Sequence, residues 1–131
     1  MVDIEMKLRI LVADDNIKML LALVSALSEF DVIATATDGR SALNHIEHLQ
    51  PAVAVLDLNM PELNGIEITR EVVRQGLVSK IVICSVENDS ELIATALTAG
   101  ASAYVLKPKL NKDLVIAVKC AASGENFISC V

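Results

Sequence analysis

The stretch Ala52-Val53-Ala54-Val55-Leu56 runs apolar without alternation and ends on Asp57. A strand with one face in water alternates apolar and polar positions. An unbroken run this short therefore reads as a strand buried on both faces, as in a parallel sheet covered by helices. Leu58-Asn59-Met60-Pro61 follows, and Pro61 with Gly65 breaks the strand and forces a turn. In open α/β sheets, ligand chemistry gathers outside the carboxyl ends of the strands. One aspartate there can also end a strand for local reasons, so its meaning depends on its companions.

Leu8-Arg9-Ile10-Leu11-Val12-Ala13 predicts a first strand ending at Asp14-Asp15, and Val32-Ile33-Ala34-Thr35-Ala36 a second, closed by Asp38-Gly39. Asn16 is placed to cap a helix running to about Ser28 and carrying Met19, Leu20, Leu21, Leu23, Val24 and Leu27. Ala42, Ile46 and Leu49 stand at core spacing on the next helix, and Ile66, Ile68, Val72 and Val73 mark the third. Lys80-Ile81-Val82-Ile83-Cys84-Ser85 is the fourth strand. A helix from Asn88 to Ala99 is stopped by Gly100. Ala103-Tyr104-Val105-Leu106 is a short fifth strand ended by Lys107-Pro108. Asn111 is read as the cap of the last helix, Leu110 and Val115 as its staple, and Gly124 as its stop. Five βα repeats of about 20 to 25 residues predict a doubly wound parallel sheet with right-handed crossovers.

The chain has 131 residues, which suits one domain, and its 53% hydrophobic content with no Trp, one Tyr and two Phe implies an aliphatic core. A formal net charge of −6 opposes direct nucleic-acid binding by this domain. The apolar runs are too short for a membrane span, and no secretory signal opens the chain. Cys84, Cys120 and Cys130 form an odd set without zinc-ligand spacing, so reduced thiols and a cytoplasmic location are expected.

Aligning the strands in parallel brings their carboxyl ends to one edge. Asp14 and Asp15 come from the first, Asp57 from the third, Ser85 from the fourth and Lys107 from the fifth. Two carboxylates about 4 Å apart repel by roughly 4 kcal/mol at an effective dielectric near 20. Lys107 relieves part of that and a hard divalent cation more. Oxygen ligands with room for water suit Mg²⁺, or Mn²⁺, rather than zinc. A carboxylate is a competent nucleophile for phosphoryl transfer, which needs charge neutralisation and positioning above all. The Ser85 hydroxyl can donate to a phosphoryl oxygen.

As an ordered set, Asp14-Asp15, Asp57 with Met60-Pro61 and Gly65, Ser85, Tyr104 and Lys107-Pro108 resemble a bacterial two-component response-regulator receiver domain, over residues 8–124. The resemblance implies a flavodoxin-like α/β fold, (βα)5, with a five-stranded parallel sheet in the order 2-1-3-4-5. It makes Asp57 the phosphoacceptor, served by a sensor histidine kinase. Asp14, Asp15, Asp57 and the carbonyl of Asn59 become the Mg²⁺ ligands, and Lys107 the partner of the phosphoryl group, with a cis bond to Pro108. It casts Ser85 and Tyr104 as a switch, in which the serine swings toward the phosphoryl group and the tyrosine turns inward. Asn59 and Glu87 take positions that modulate autodephosphorylation in the family. Val86 stands where a smaller residue is usual, which puts the rate with small phosphodonors in question. Such a domain is a phosphoacceptor that assists its own phosphorylation and dephosphorylation, rather than an enzyme acting on a separate substrate.

The segment from Gly124 to Ser129 resembles the end of receivers with a LuxR-type helix-turn-helix output, which regulate transcription. Residues 1–124 are thus expected to be the receiver, and 125–131 a tail or the start of a linker to an output DNA-binding domain absent from this chain. A free-standing receiver is the other possibility. The apolar excess on the first and last helices suggests a phosphorylation-linked homodimer. Two rival readings were weighed. A haloacid-dehalogenase-type phosphohydrolase wants Asp-x-Asp on the first strand, whereas Asp57-Leu58-Asn59 lies on the third. A phosphorylation-independent interaction module fits the complete acidic set poorly. His45 and His48 read as exposed helix positions, and Cys84 as core.

Overall fold

The computed structural model describes residues 7–129. Its elements alternate in order: β1 (Arg9–Ala13), α1 (Ile17–Ala26), β2 (Asp31–Ala36), α2 (Gly39–Leu49), β3 (Val53–Asp57), α3 (Gly65–Arg74), β4 (Lys80–Ser85), α4 (Ser90–Ala99), β5 (Ala103–Leu106), α5 (Leu110–Ala122) and β6 (Phe127–Ile128). All pairings are parallel, in the order β2-β1-β3-β4-β5-β6. The doubly wound order matches expectation through β5. The strand count does not, because the sheet has six strands. Phe127-Ile128 is too short to show periodicity, and only its pairing with Ala103 and Tyr104 makes it a strand.

The unbroken apolar runs are explained by period-2 side-chain placement between two helical layers. Leu11, Ala13, Ala54, Leu56, Ile81 and Ile83 join the cluster containing Ile46 of α2, Ile68 of α3 and Ala96 of α4. Their neighbours Ile10, Val12, Val53, Val55, Val82 and Cys84 join the cluster containing Leu20 and Leu23 of α1 and Leu114 and Val118 of α5. All five residues of β3 are buried, which makes it the centre of the molecule.

Local chemistry sets most helix starts. Asn16 accepts from the Met19 N–H at 3.0 Å, and Asp38 from the Ser41 N–H at 2.7 Å. Asn64 and Glu67 form a reciprocal capping box. The fourth helix begins at Ser90 rather than Asn88, with Asp89 as its cap. Asn111 does not cap α5. Lys107–Lys109 forms a 3₁₀ turn that runs straight into a helix beginning at Leu110. The expected cis bond before Pro108 is likewise not present, and every peptide bond among the described residues is trans. Trans is the favoured isomer by about 0.5–1 kcal/mol, and Pro108 opens a turn that uses its fixed φ and needs no N–H there. Leu49 and Val73 are exposed, not core. The Ala42–Ile46 stripe would continue at position 50, after α2 has ended. Val73 is one residue off the Ile68–Val72 stripe and lies against Gly100, where an added Cβ would stand 2.6 Å from its Cγ2.

The loop after β3 is clamped from α2. The Pro61 carbonyl accepts the Gly39 N–H at 3.0 Å and the Leu63 N–H at 2.9 Å, with Glu62 between at φ 73°. The second bond closes a tight three-residue turn. A Cβ on Gly39 would fall on the Leu63 carbonyl oxygen, a backbone atom that cannot swing aside. Gly39→Ala is therefore expected to lower stability by about 2 kcal/mol or more, with an unchanged m-value in urea denaturation.

Candidate functional site

The parallel register delivers the expected side chains to one edge. Asp14 follows the last residue of β1 and is fully buried, and Asp15 beside it is exposed. Asp57 closes β3 and Ser85 closes β4, and both are buried. One carboxylate oxygen from each of Asp14, Asp15 and Asp57 lies within 4.8 Å of the others. Lys107, at the start of the 3₁₀ turn after β5, places Nζ 3.0 Å from Asp57 Oδ1 and 2.8 Å from Asp14 Oδ2. Asn59 is exposed on the loop that follows Asp57.

Each acid has a distinct environment. Asp14 Oδ1 accepts the Asn16 N–H at 2.9 Å, so the capping turn of α1 also aims this carboxylate. Asp14 Oδ2 is buried and meets the Lys107 ammonium at 2.8 Å. Burial raises the pKa of Asp57 above the ordinary aspartate range, the hydrogen bond from Lys107 works against that rise, and the Asp14 charge adds to it. Burial works against the charge on Lys107, but its bonds to Asp14 and Asp57 outweigh it and hold the ammonium above its usual value. Cys84, opposite Asp57 in the β3–β4 register, is pushed up to about 12 by burial and is a core thiol, not a nucleophile.

Three converging carboxylates, with only one ammonium among them, suit a hard, oxygen-seeking divalent cation. The residues present fit such an ion.

Ser85 and Tyr104 meet through a residue between them in space. Ser85 Oγ accepts the Glu87 N–H at 3.0 Å, while the Tyr104 hydroxyl donates to the Glu87 carbonyl at 2.7 Å. Tyr104 is fully buried, so it already occupies the inward position, and burial raises its pKa. Val86 projects outward at 64% exposure on the rim of a groove of about 430 Å³ lined also by Asn16, Lys18, Met19 and Lys107. His48 is exposed and His45 partly buried on α2, and neither joins the acidic group. Cys130 lies outside the described residues. Sequence reasoning missed a second polar group near this edge: Asp113 of α5 and Ser129, both buried and joined at 2.7 Å. An acid in a first helical turn reads as a favourable dipole contact, so nothing in the pattern marked it.

The family described as the response regulator receiver domain matches residues 10–119. The chain is 34% identical over 130 residues to the transcriptional regulatory protein DegU of Brevibacillus brevis, covering 95% of this chain and 54% of that protein. It is 37% identical over 107 residues to the nitrate/nitrite response regulator protein NarL of Escherichia coli (strain K12), covering 82% and 50%. It thus spans about half the length of these relatives. Among solved structures, the signal receiver domain of the response regulator NarL from Mycobacterium tuberculosis superposes with a TM-score of 0.89. That likeness comes at 31% identity, over 92% of this chain and 100% of that one.

The raised pKa of Asp57 has a consequence for stability. A carboxyl whose folded pKa exceeds its unfolded one supports the fold while protonated, and withdraws that support as pH rises through the folded value. Asp57→Asn is expected to stabilise the metal-free protein at pH 7, with a gain that shrinks as pH falls through the raised Asp57 value and is lost once the acid is protonated in the folded and unfolded chain alike. Mg²⁺ narrows the difference by stabilising the native protein alone. Urea denaturation in EDTA and in Mg²⁺ checks this, and a wild type more stable than the variant in EDTA at pH 7 would contradict it.

Proposed function

The chain belongs to the response regulator receiver domain family, and from that premise we propose that it accepts a phosphoryl group on Asp57 from a sensor histidine kinase. The observation that carries this reading is Lys107 bridging Asp14 and Asp57 at the edge where Asp15 completes the acidic group. Asp57 supplies the attacking oxygen. The new bond forms between that oxygen and phosphorus, while the bond from phosphorus to the donor breaks and the donor keeps the electron pair. Lys107, already on Asp57 Oδ1, follows the incoming oxygens without a large reorientation. Asp14, aimed by the Asn16 N–H, together with Asp15, Asp57 and the Asn59 carbonyl would hold Mg²⁺ or Mn²⁺. That ion supplies neutralisation of the transferring group.

Receiver domains are signalling domains, so the product is a changed surface. Ser85 Oγ can donate to a phosphoryl oxygen only by giving up its bond from the Glu87 N–H. Tyr104, which holds the other side of the same residue, stays inward and the β4–α4 loop resets around it. Because the tyrosine is inward already, phosphorylation is expected to bias an existing equilibrium and not to create a new state. That DegU is a transcriptional regulatory protein supports an output in transcription, and a DNA-binding domain outside these residues and a cytoplasmic location belong to the same proposal. Among the described residues, no helix is long and apolar enough to cross a membrane.

Intact mass after incubation with acetyl phosphate and Mg²⁺ tests the acceptor. One phosphoryl group is expected in the wild type and none in Asp57→Asn or with EDTA. Lys107→Ala should react on the order of 10²-fold more slowly. No gain with acetyl phosphate and none with a kinase would leave the interaction-module reading ahead. Exposed Ile17 and Leu21 on α1 and Ile116 on α5 support a homodimer through these helices. Light scattering should then move from 14.0 kDa toward twice that mass on addition of beryllofluoride, and Leu21→Glu should prevent the shift.

A further inference from the structure

β5 is only four residues long, and its outer edge must find partners for backbone groups that β4 does not reach. β6 supplies some of them. The Phe127 N–H donates to the Ser102 carbonyl at 3.1 Å, and the Ser129 N–H to the Tyr104 carbonyl at 2.9 Å. The next group along that edge is the Leu106 N–H, beyond the end of the two-residue ladder. Its acceptor is a side chain, Ser129 Oγ, at 3.0 Å. The same hydroxyl donates to Asp113 Oδ2 at 2.7 Å. Ser129 and Asp113 are both buried, so neither bond is easily replaced by water.

The placement of these partners is what gives the group meaning. Leu106 is bonded directly to Lys107, and Asp113 lies in the first turn of the helix that follows the Lys107–Lys109 turn. One serine therefore grips the chain on both sides of the lysine whose Nζ reaches Asp14 at 2.8 Å and Asp57 at 3.0 Å. Its backbone also holds the carbonyl of Tyr104. A hydroxyl that must accept from one buried group and donate to another has a single useful orientation, and its loss leaves both without partners.

We propose that Ser129 and Asp113 are positioning residues for the phosphoryl site, so that docking of β6 and occupancy of the site stabilise each other. This deepens the acceptor reading of Asp57 and rests on it. The sense of the coupling follows from geometry. Phosphoryl oxygens need Lys107 in one place, and β6 holds the strand end that puts it there. By linkage, the factor by which an occupied site tightens β6 is the factor by which docked β6 tightens ligand binding. The segment after α5 thereby reports the state of the site along the chain.

The test uses the 131-residue chain with Mg²⁺ and beryllofluoride, a tetrahedral stand-in for the phosphoryl group. In the wild type, amide exchange at Leu106 and Ser129 should slow by about tenfold on binding. Ser129→Ala should bind beryllofluoride roughly tenfold more weakly by calorimetry while keeping its affinity for Mg²⁺ alone, and Ser129→Thr should restore binding. Asp113→Asn retains an acceptor without charge, and it should weaken binding in the same direction by a smaller factor. That variant decides the matter if Ser129→Ala does not fold. Wild-type affinity in Ser129→Ala or, failing that, in Asp113→Asn, or amide exchange indifferent to the ligand, would overturn the proposal and leave the acceptor reading standing. A wild type that binds no beryllofluoride would overturn both.

Discussion

Lys107 stands between two buried carboxylates, and the architecture around it follows from keeping that arrangement at a sheet edge. Three carboxylates against one ammonium leave two negative charges in a space under 5 Å across. At about 4 Å and an effective dielectric near 20, each like pair costs roughly 4 kcal/mol. No short loop could hold that charge at fixed positions by itself. A central β3 buried along its whole length can, because its neighbours β1 and β4 lock its register and two apolar layers lock its faces. The apolar core stabilises the fold strongly enough to carry an unfavourable edge, and the excess negative charge of that edge is what gives the site its demand for a cation.

The same division explains what could be read from the sequence. The strands β1, β3, β4 and β5 carry apolar runs that end at charged or polar residues, and their shortness between turn signals favours strands buried on both faces, whereas the edge strand β2 is only half-buried and includes Thr35. Asp14, Asp15, Asp57, Ser85 and Lys107 were legible because strand order alone brings strand ends together. The sixth strand was not legible, since two residues carry no period and Phe127-Ile128 depends on a partner far away in the chain. The start of α5 was missed for a related reason. Asn111 is a good capping residue, but the 3₁₀ turn from Lys107 supplies the helix with its first turn before Asn111 is reached. Leu49 stands at core spacing with Ala42 and Ile46, yet it is exposed because α2 ends there, and Val73 lies outside the stripe formed by Ile68 and Val72.

Glu87 shows how a residue can matter through its backbone alone. Its N–H meets Ser85 and its carbonyl meets Tyr104, so the two side chains proposed as a switch share one residue of the β4–α4 loop. Nothing in a glutamate side chain predicts that. A hydrogen bond exchanged for another of similar kind changes free energy by about 1 kcal/mol. Complete conversion of a 1:99 equilibrium needs about 5.5 kcal/mol. On the proposed reading a single serine rotation therefore cannot drive the change, and the larger part comes from the charge that would arrive on Asp57.

That charge acts on the two halves of the sheet differently. Both halves are buried through β1, β3, β4 and β5, so what distinguishes them is the outer edge of the sheet. Toward β4 and β5 it meets Ser85, Lys107 and Tyr104, whose strands end in loops, and beyond them a two-residue strand held by Ser129. Free energy released at the site is most cheaply absorbed where cooperative contacts are fewest. On the proposed reading, a change at Asp57 therefore travels most easily toward β6 and the outer surface of α4, β5 and α5.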